Sequence, residues 1–318
     1  MCQFLSYASL IRLAQAINCT ISFLVLFLFQ PLQASDIAVS NSQSNPDLIR
    51  ECAVLLAVRD TLTGNATLNW SDSIDIAQWE GVSVAGTPAR IRALELNDKG
   101  LTGSIPPELG NLTGLERLLL HNNQLTGDIP PELGNLANLK KLALANNQLT
   151  GVIPLELTNL DSLTGLALQK NQLTGSIPRE LGSLTRLTGL ILSDNLLTGT
   201  IPPELSRLAK LTMLTLNNNL LAGSIPLELS SLAKLKILAL NNNQLIGDIP
   251  LELGSLGNLT HLLLHHNQLS GAVPTELGNL AKLTHLTLIG NQLTGCLPFD
   301  VDRINSLTIK SDLQVCPP

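Results

Sequence analysis

The chain has 318 residues, of which 44% are hydrophobic but only 3% aromatic and 14% charged. An enzyme of this length ordinarily carries more aromatic bulk in its core, so the evenly spaced leucines point to a repeat architecture. A formal net charge of −6, with no cluster of Lys or Arg, argues against nucleic acid or an anionic membrane as the partner.

The chain opens on an apolar run, Ile21 to Phe29, preceded by Arg12 as the only charge and followed by the small residue Ala34. Residues 1–34 therefore read as an export signal peptide, with an uncleaved anchor as the alternative. The run is short for a membrane span, and no second run of spanning length is expected downstream. Residues 35–45 are polar and read as a flexible lead-in. The segment Pro46 to Leu62 predicts a helix with Leu48, Cys52, Leu55 and Leu56 on one side, and Trp70 and Trp79 follow it. Residues 46–86 thus read as an N-terminal cap over an otherwise open core.

From Thr87 the sequence repeats every 24 residues. A diverged first copy runs from Thr87 to Gly110, and further copies start at Asn111, Asn135, Asn159, Ser183, Arg207, Ser231, Ser255 and Asn279. Nine copies fill residues 87–302. In each, LxxLxL alternates as a short strand: Leu118 and Leu120 are expected to point inward and Leu119 outward. One copy cannot bury its own leucines, whereas stacked copies complete a shared core. The inward asparagines Asn123, Asn147, Asn171, Asn195, Asn219, Asn243, Asn267 and Asn291 read as a ladder that satisfies backbone groups where the chain leaves the strand. Lys99 takes that place in the first copy. The second half, LTGxIPxxLG, predicts a turn, a short extended segment and a helical turn on the convex side.

The expected fold is an α/β solenoid, a right-handed superhelix with a parallel β-sheet on its concave face and short helical or 3-10 turns on its convex face. Residues 303–318 begin another copy (Leu307, Ile309) without finishing it and read as a C-terminal cap. Of five cysteines, Cys2 and Cys19 lie in the signal region. Cys296 and Cys316 flank the last repeat and the tail, and are the expected disulfide. Cys52, in an apolar stretch, reads as a buried thiol acting as a small hydrophobe.

The string NxLTGxIPxELGNLxxLxxLxL resembles the plant-specific subclass of leucine-rich repeats, seen in receptor-kinase ectodomains and polygalacturonase-inhibiting proteins. The resemblance covers all nine copies. The stretch from Glu51 through Trp79-Glu80-Gly81-Val82 resembles the N-terminal cap of that group. Plant caps usually carry a cysteine pair around this element, and Ala77 and Val84 stand there instead, as in exported repeat proteins of bacteria and some protists. The resemblance implies ligand binding on the concave face, mostly of protein or peptide.

The register lists that face directly. One outward row includes Leu119, Ile191, Thr215 and Leu263; a second includes His121, Gln169, Asn217, Asn241 and His265; a third includes Arg117, Lys141, Met213, His261 and His285. A mildly apolar stripe along an exposed sheet suits a protein-binding surface, and Arg117 with Lys141 reads as a small basic spot. Four of the five histidines (His261, His265, His266, His285) fall in the last two copies. His261 and His285 share a column, so they are placed to repel when protonated near pH 6 or to hold a transition metal. No carboxylate or cysteine joins them at ligand spacing, so neither a metal site nor a cofactor is expected.

A further column, Thr102, Thr126, Thr150, Thr174 and Thr198, continues as Ala222, Ile246, Ser270 and Thr294. Threonine rows at sheet spacing order water, as ice-binding solenoids do, although threonine also favours extended backbone. The repeated glutamates from Glu108 to Glu276 stand one per copy without a partner acid, and no nucleophile elbow, P-loop or GxGxxG is present. The sequence therefore reads as a non-enzymatic, monomeric binding module, secreted or held in the cell envelope or periplasm, for a protein or peptide. Two alternatives are an inhibitor of a secreted polysaccharide-degrading enzyme and a structural or adhesion element contacting the cell wall.

Overall fold

A computed structural model describes residues 45–71, 73–298 and 308–316. The signal segment, all of the lead-in but Asn45, and the stretch 299–307 lie outside them. Each LxxLxL forms one short strand, because a two-residue side-chain period lets the leucines turn inward while their neighbours face out. After an N-terminal hairpin of β1 (Val82–Ala85) and β2 (Arg90–Glu95), the repeats supply β3 (Arg117–Leu119), β4 (Lys141–Ala143), β5 (Gly165–Ala167), β6 (Gly189–Ile191) and β7 (Met213–Thr215). On the opposite side come β8 (Ala222–Gly223), β10 (Gln244–Asp248) and β12 (Gln268–Ser270), alternating in the chain with β9 (Ile237–Ala239), β11 (His261–Leu263) and β13 (His285–Thr287). The tail adds β14 (Thr308–Lys310).

The main sheet has 11 strands in the order β1-β2-β3-β4-β5-β6-β7-β9-β11-β13-β14. It is parallel throughout except for the antiparallel β1–β2 pair. The register is one repeat per strand, Leu118 against Leu142, then Leu166, Leu190, Leu214, Leu238, Leu262 and Leu286. These leucines are at most 1% exposed and form one continuous core along the coil.

Behind the sheet, PxEL segments fold as five-residue 3-10 turns such as Pro107–Asn111 and Pro131–Asn135. Their prolines or preceding prolines fix φ where the turn begins. Gly134 lets the turns pack closely, since a Cβ there would overlap the Glu156 carbonyl of the next copy.

Between strand and turn lies a second ladder, which the sequence reading had only as a threonine column. Parallel bridges join Ser104 to Thr126, Asp128 to Thr150, Val152 to Thr174, Ser176 to Thr198 and Thr200 to Ala222. From Ala222 onward the bridges lengthen into the three-stranded sheet β12-β10-β8.

The asparagine ladder is a hydrogen-bond ladder. Asn171 donates from Nδ2 to the Leu144 and Leu168 carbonyls, both at 3.0 Å, and its Oδ1 accepts from the Leu149 amide at 3.1 Å. Asn195, Asn219 and Asn267 repeat the pattern, and all four are under 10% exposed. At the open end, Lys99 reaches the Glu80 carboxylate at 2.6 Å while its own amide donates to Asn123.

The N-terminal helix α1 (Pro46–Thr63) starts where Asn45 accepts from the Asp47 and Leu48 amides and Pro46 opens the first turn, and it stops at Gly64 with φ of 57°. It covers the first repeat through Cys52, Leu55, Val58 and Leu62, all buried. Glu51, 3% exposed, adds a polar tie: one carboxylate oxygen accepts from the Ile91 amide and the other from Arg90 Nε, both at 2.7 Å. Trp70 and Trp79 stack at 5.9 Å over the same end. At the other end, a Cys296–Cys316 disulfide joins the last repeat to the tail, and Leu297 bridges Val315. Among the described residues, no helix is long and apolar enough to cross a membrane.

Candidate protein-binding interface

Only the first and third residues of each three-residue strand face outward, so every concave side chain is spaced by the strand separation of about 4.8 Å. Because the rows are in register, small residues in neighbouring copies combine into depressions. Gly165 and Gly189 leave the sheet bare, with Ala143 and Ala167 beside them. The result is a hollow of about 260 Å³ bordered by Leu119, Ile191 and Met213. A Cβ on Gly189 would meet nothing within 4 Å, so the space above it is open. The Lys141 side chain lies over Gly165, its Cδ and Nζ each 3.1 Å from where a Cβ would stand. An adjoining hollow of about 350 Å³ is lined by His121, Ala145, Ala167 and Gln169.

Among the described residues, three buried polar atoms on this face have no hydrogen-bond partner: His121 Nδ1, Gln169 Oε1 and Thr215 Oγ1. Unsatisfied buried polar atoms are uncommon in folded proteins, and here they gather in the outward rows beside the hollows.

Two placements correct the sequence reading. Arg117 is not a bare cation, because its Nε donates to Glu95 Oε1 at 2.6 Å across β2 and β3. The basic spot therefore reduces to Lys141. Asn241 is not an open contact position, being 7% exposed between Asn217 and His265 in the same row. The remaining candidates, Leu119, His121, Lys141, Gln169, Ile191, Met213, Thr215, Asn217, His261, Leu263, His265 and His285, are all at least partly exposed on this face.

The C-terminal part of the face is built of imidazoles. His261 and His285 pair directly across β11 and β13, with rings 4.3 Å apart and only 5° from parallel. Each Nδ1 is held by the preceding threonine, Thr260 Oγ1 at 2.9 Å and Thr284 Oγ1 at 3.0 Å. His265 Nδ1 meets Thr287 Oγ1 at 2.6 Å. His266 sits instead at the corner after the strand, with φ of 53°, and meets His265 edge-on at 5.3 Å. Burial, then the His285 charge, holds His261 below the usual imidazole range. Burial, then His266 and Lys310, does the same for His265. Among the described residues, no third His, Cys, Asp or Glu completes a metal-binding group.

The second ladder presents a separate surface. Thr126 and Thr174 are exposed, and their hydroxyls donate to Gly103 and Gly151 carbonyls. Thr150 donates to the Asp128 carboxylate at 2.8 Å. Ile246, 50% exposed, interrupts the row.

This architecture of leucine-walled coils, an asparagine ladder and an open sheet defines a class of repeat proteins. Family profiles described as leucine-rich repeats match residues 113–159, 137–197, 234–256 and 258–280. These repeats are leucine-rich repeats, similar to those of plant receptor kinases. It is 35% identical to the receptor-like kinase TMK2 of Arabidopsis thaliana over 96 residues, 30% of this chain and 10% of that one. Among solved structures it is similar to the plant peptide hormone receptor RGFR1 in complex with RGF2, with 42% identity, TM-score 0.64, and coverage of 66% of this chain and 34% of that one. It is similar to the ectodomain of GASSHO1/SCHENGEN3 from Arabidopsis thaliana in complex with CASPARIAN STRIP INTEGRITY FACTOR 2, at 40% identity and TM-score 0.66, covering 77% and 33%. A plant ice-binding protein is similar over almost all of its length: 28% identity, TM-score 0.63, covering 86% of this chain and 98% of that one. The chain spans about a third or less of the length of these three receptors.

Proposed function

We propose that this chain is an exported, non-catalytic binding module that takes an extended peptide or protein segment along its concave sheet. The observation that carries the reading is the hollow that opens over Gly189 beside Gly165, bordered by Leu119, Ile191 and Met213. An apolar side chain of a partner would fill that hollow and lose about 25 cal/mol of unfavourable hydration per Å² buried. Lys141 at its edge offers a charged contact that orients the segment. The receptors to which the chain is similar include ones in complex with RGF2 and with CASPARIAN STRIP INTEGRITY FACTOR 2, which supports a peptide as the partner. The hydrolase-inhibitor and adhesion alternatives draw no support from the relatives named above.

The test is to replace Leu119, Ile191 and Leu263 with aspartate, singly and together. All three are outward and only partly buried, so folding survives while partner capture falls at least tenfold, about 1.4 kcal/mol. Capture that persists in the triple variant would overturn the concave-face assignment.

A second reading attaches to the threonine ladder. The similarity to a plant ice-binding protein spans nearly the whole of that protein, and the ladder carries threonines at one-repeat spacing from Thr126 to Thr198. Under this reading the pure protein shows thermal hysteresis, and Thr126→Lys with Thr174→Lys abolishes it. An absence of hysteresis in the native protein discards the reading.

A further inference from the structure

We propose that the C-terminal third of the concave face binds an acidic stretch of the partner segment, with His261 and His285 together receiving one Asp or Glu side-chain carboxylate. The inference rests on the concave-face reading and names the chemistry recognised at one end of it.

The Thr260 hydroxyl donates to the Lys236 carbonyl at 2.8 Å, and the Thr284 hydroxyl donates to the Thr260 carbonyl at 3.0 Å. A hydroxyl has one hydrogen, so toward the imidazoles each threonine is an acceptor. Nδ1 of His261 and of His285 must then carry the proton, and each neutral ring keeps its lone pair on Nε2. When a ring gains a second proton, that proton appears at Nε2, on the edge opposite the threonine. The pair thus turns from two acceptors into donors by titration alone, without any change of rotamer.

The spacing selects the ligand. Two parallel rings 4.3 Å apart present their Nε2 atoms side by side. One carboxylate accepts from both at charge-assisted distances of about 2.8 Å with a modest inward tilt. A transition metal fits less well, because metal–nitrogen bonds of about 2.1 Å require two ligating nitrogens to converge. Parallel rings tied to their threonines do not converge.

The surroundings favour an anion. Lys236 precedes β9, Lys282 precedes β13, and Lys310 lies in β14 opposite Thr287. Lys282 is engaged with Asn258. His265 and His266 extend the cationic area at the far end of the strand. The carboxylate facing this group is Asp312, whose side chain accepts from the Gly290 amide at 2.9 Å. Imidazoles and lysines spread along the length of the strand suit several acidic side chains in series better than a single terminal carboxylate.

Binding should therefore strengthen as pH falls through the imidazole range. Burial and the His285 charge hold His261 below the usual imidazole range, and a bound carboxylate favours the protonated form. The experiment uses a fluorescein-labelled tetraglutamate peptide, acetylated and amidated, followed by anisotropy at about pH 5 and about pH 7.5 in low salt. The expected result is binding at least tenfold tighter at the lower pH. That difference disappears in His261→Gln/His285→Gln, a variant of two partly exposed side chains checked for folding by circular dichroism. A tetraglutamine peptide, amidated or with a free C-terminal carboxylate, binds neither form. Equal affinity at both pH values, an unchanged pH response in the double variant, or preferential binding of the free-carboxylate glutamine peptide would each overturn the inference. Leu119→Asp separates the two levels. If it weakens capture of the natural partner while the double variant leaves the pH response intact, the concave face stands and the acidic contact falls.

Discussion

A single amide at Asn171 ties two successive turns of the coil together, donating to Leu144 and Leu168 carbonyls and accepting from the Leu149 amide. Asn171→Ala would leave the buried Leu149 amide without its partner and would take one of two asparagine donors from each of the Leu144 and Leu168 carbonyls. The expected loss is about 3 kcal/mol, read from the shift of a denaturant midpoint. Asn171→Asp should also destabilise, since a carboxylate cannot supply the two donors. A loss below about 1 kcal/mol would show that the ladder is dispensable. Titration gives a second residue-level expectation. The folded protein holds His261 and His265 below the usual imidazole range, so the unfolded chain binds more protons as acid is added. Stability is therefore full above the unfolded imidazole value of about 6.5 and declines as pH falls through it. His261→Gln should flatten that slope in melting temperatures taken between about pH 7.5 and about pH 5.

Elements were readable from sequence to the extent that one residue decides one environment. Leu118 and its equivalents had to point inward, because a two-residue period and a 24-residue repeat leave no other place for them. Asn123 and its successors were readable for the same reason. What escaped depended on neighbours across repeats or across the cap. Nothing in the helical pattern of residues 46–62 marks Glu51 as buried, and only packing against β2 makes it a partner of Arg90 and Ile91. Arg117 looked free until β2 brought Glu95 beside it. Asn241 faces outward by register, yet it is 7% exposed where it lies between Asn217 and His265. The cysteine pair was readable from position, and it yields an element-level expectation. The disulfide closes a loop with a sequence separation of 20, so its removal should cost about 3 kcal/mol in a chain-entropy account. In a solenoid that cost falls on the nearest coil. Cys316→Ser should expose the β13 and β14 amides to hydrogen exchange while leaving protection of β4 to β7 unchanged. Uniform loss of protection would mean that the chain unfolds as one unit.

The whole molecule is a stack in which each copy touches the next, so its stability is a sum of similar interfaces rather than one global core. That arrangement predicts tolerance to removal of a complete copy. Deleting Arg207–Ser230, 24 residues, joins Ser206 to Ser231 and reproduces the ELSSL junction that stands at Glu228–Leu232. β6 would then pair with β9 in place of β7, and Leu190 would meet Leu238 as it now meets Leu214. The shortened chain should fold, with an unchanged circular-dichroism shape and a lower unfolding enthalpy in proportion to its length. A collapsed or aggregated product would refute the additive picture. The same deletion interrogates function, because it brings the Gly165–Gly189 hollow about 4.8 Å closer to the His261–His285 pair, with Ile237 taking the place of Met213 at the border of the hollow. A partner held at both places loses affinity through the mismatch, whereas tetraglutamate held only by the imidazoles keeps its affinity and its pH response. Comparing the two ligands on one variant separates a segment that runs the length of the concave face from one that engages a single end.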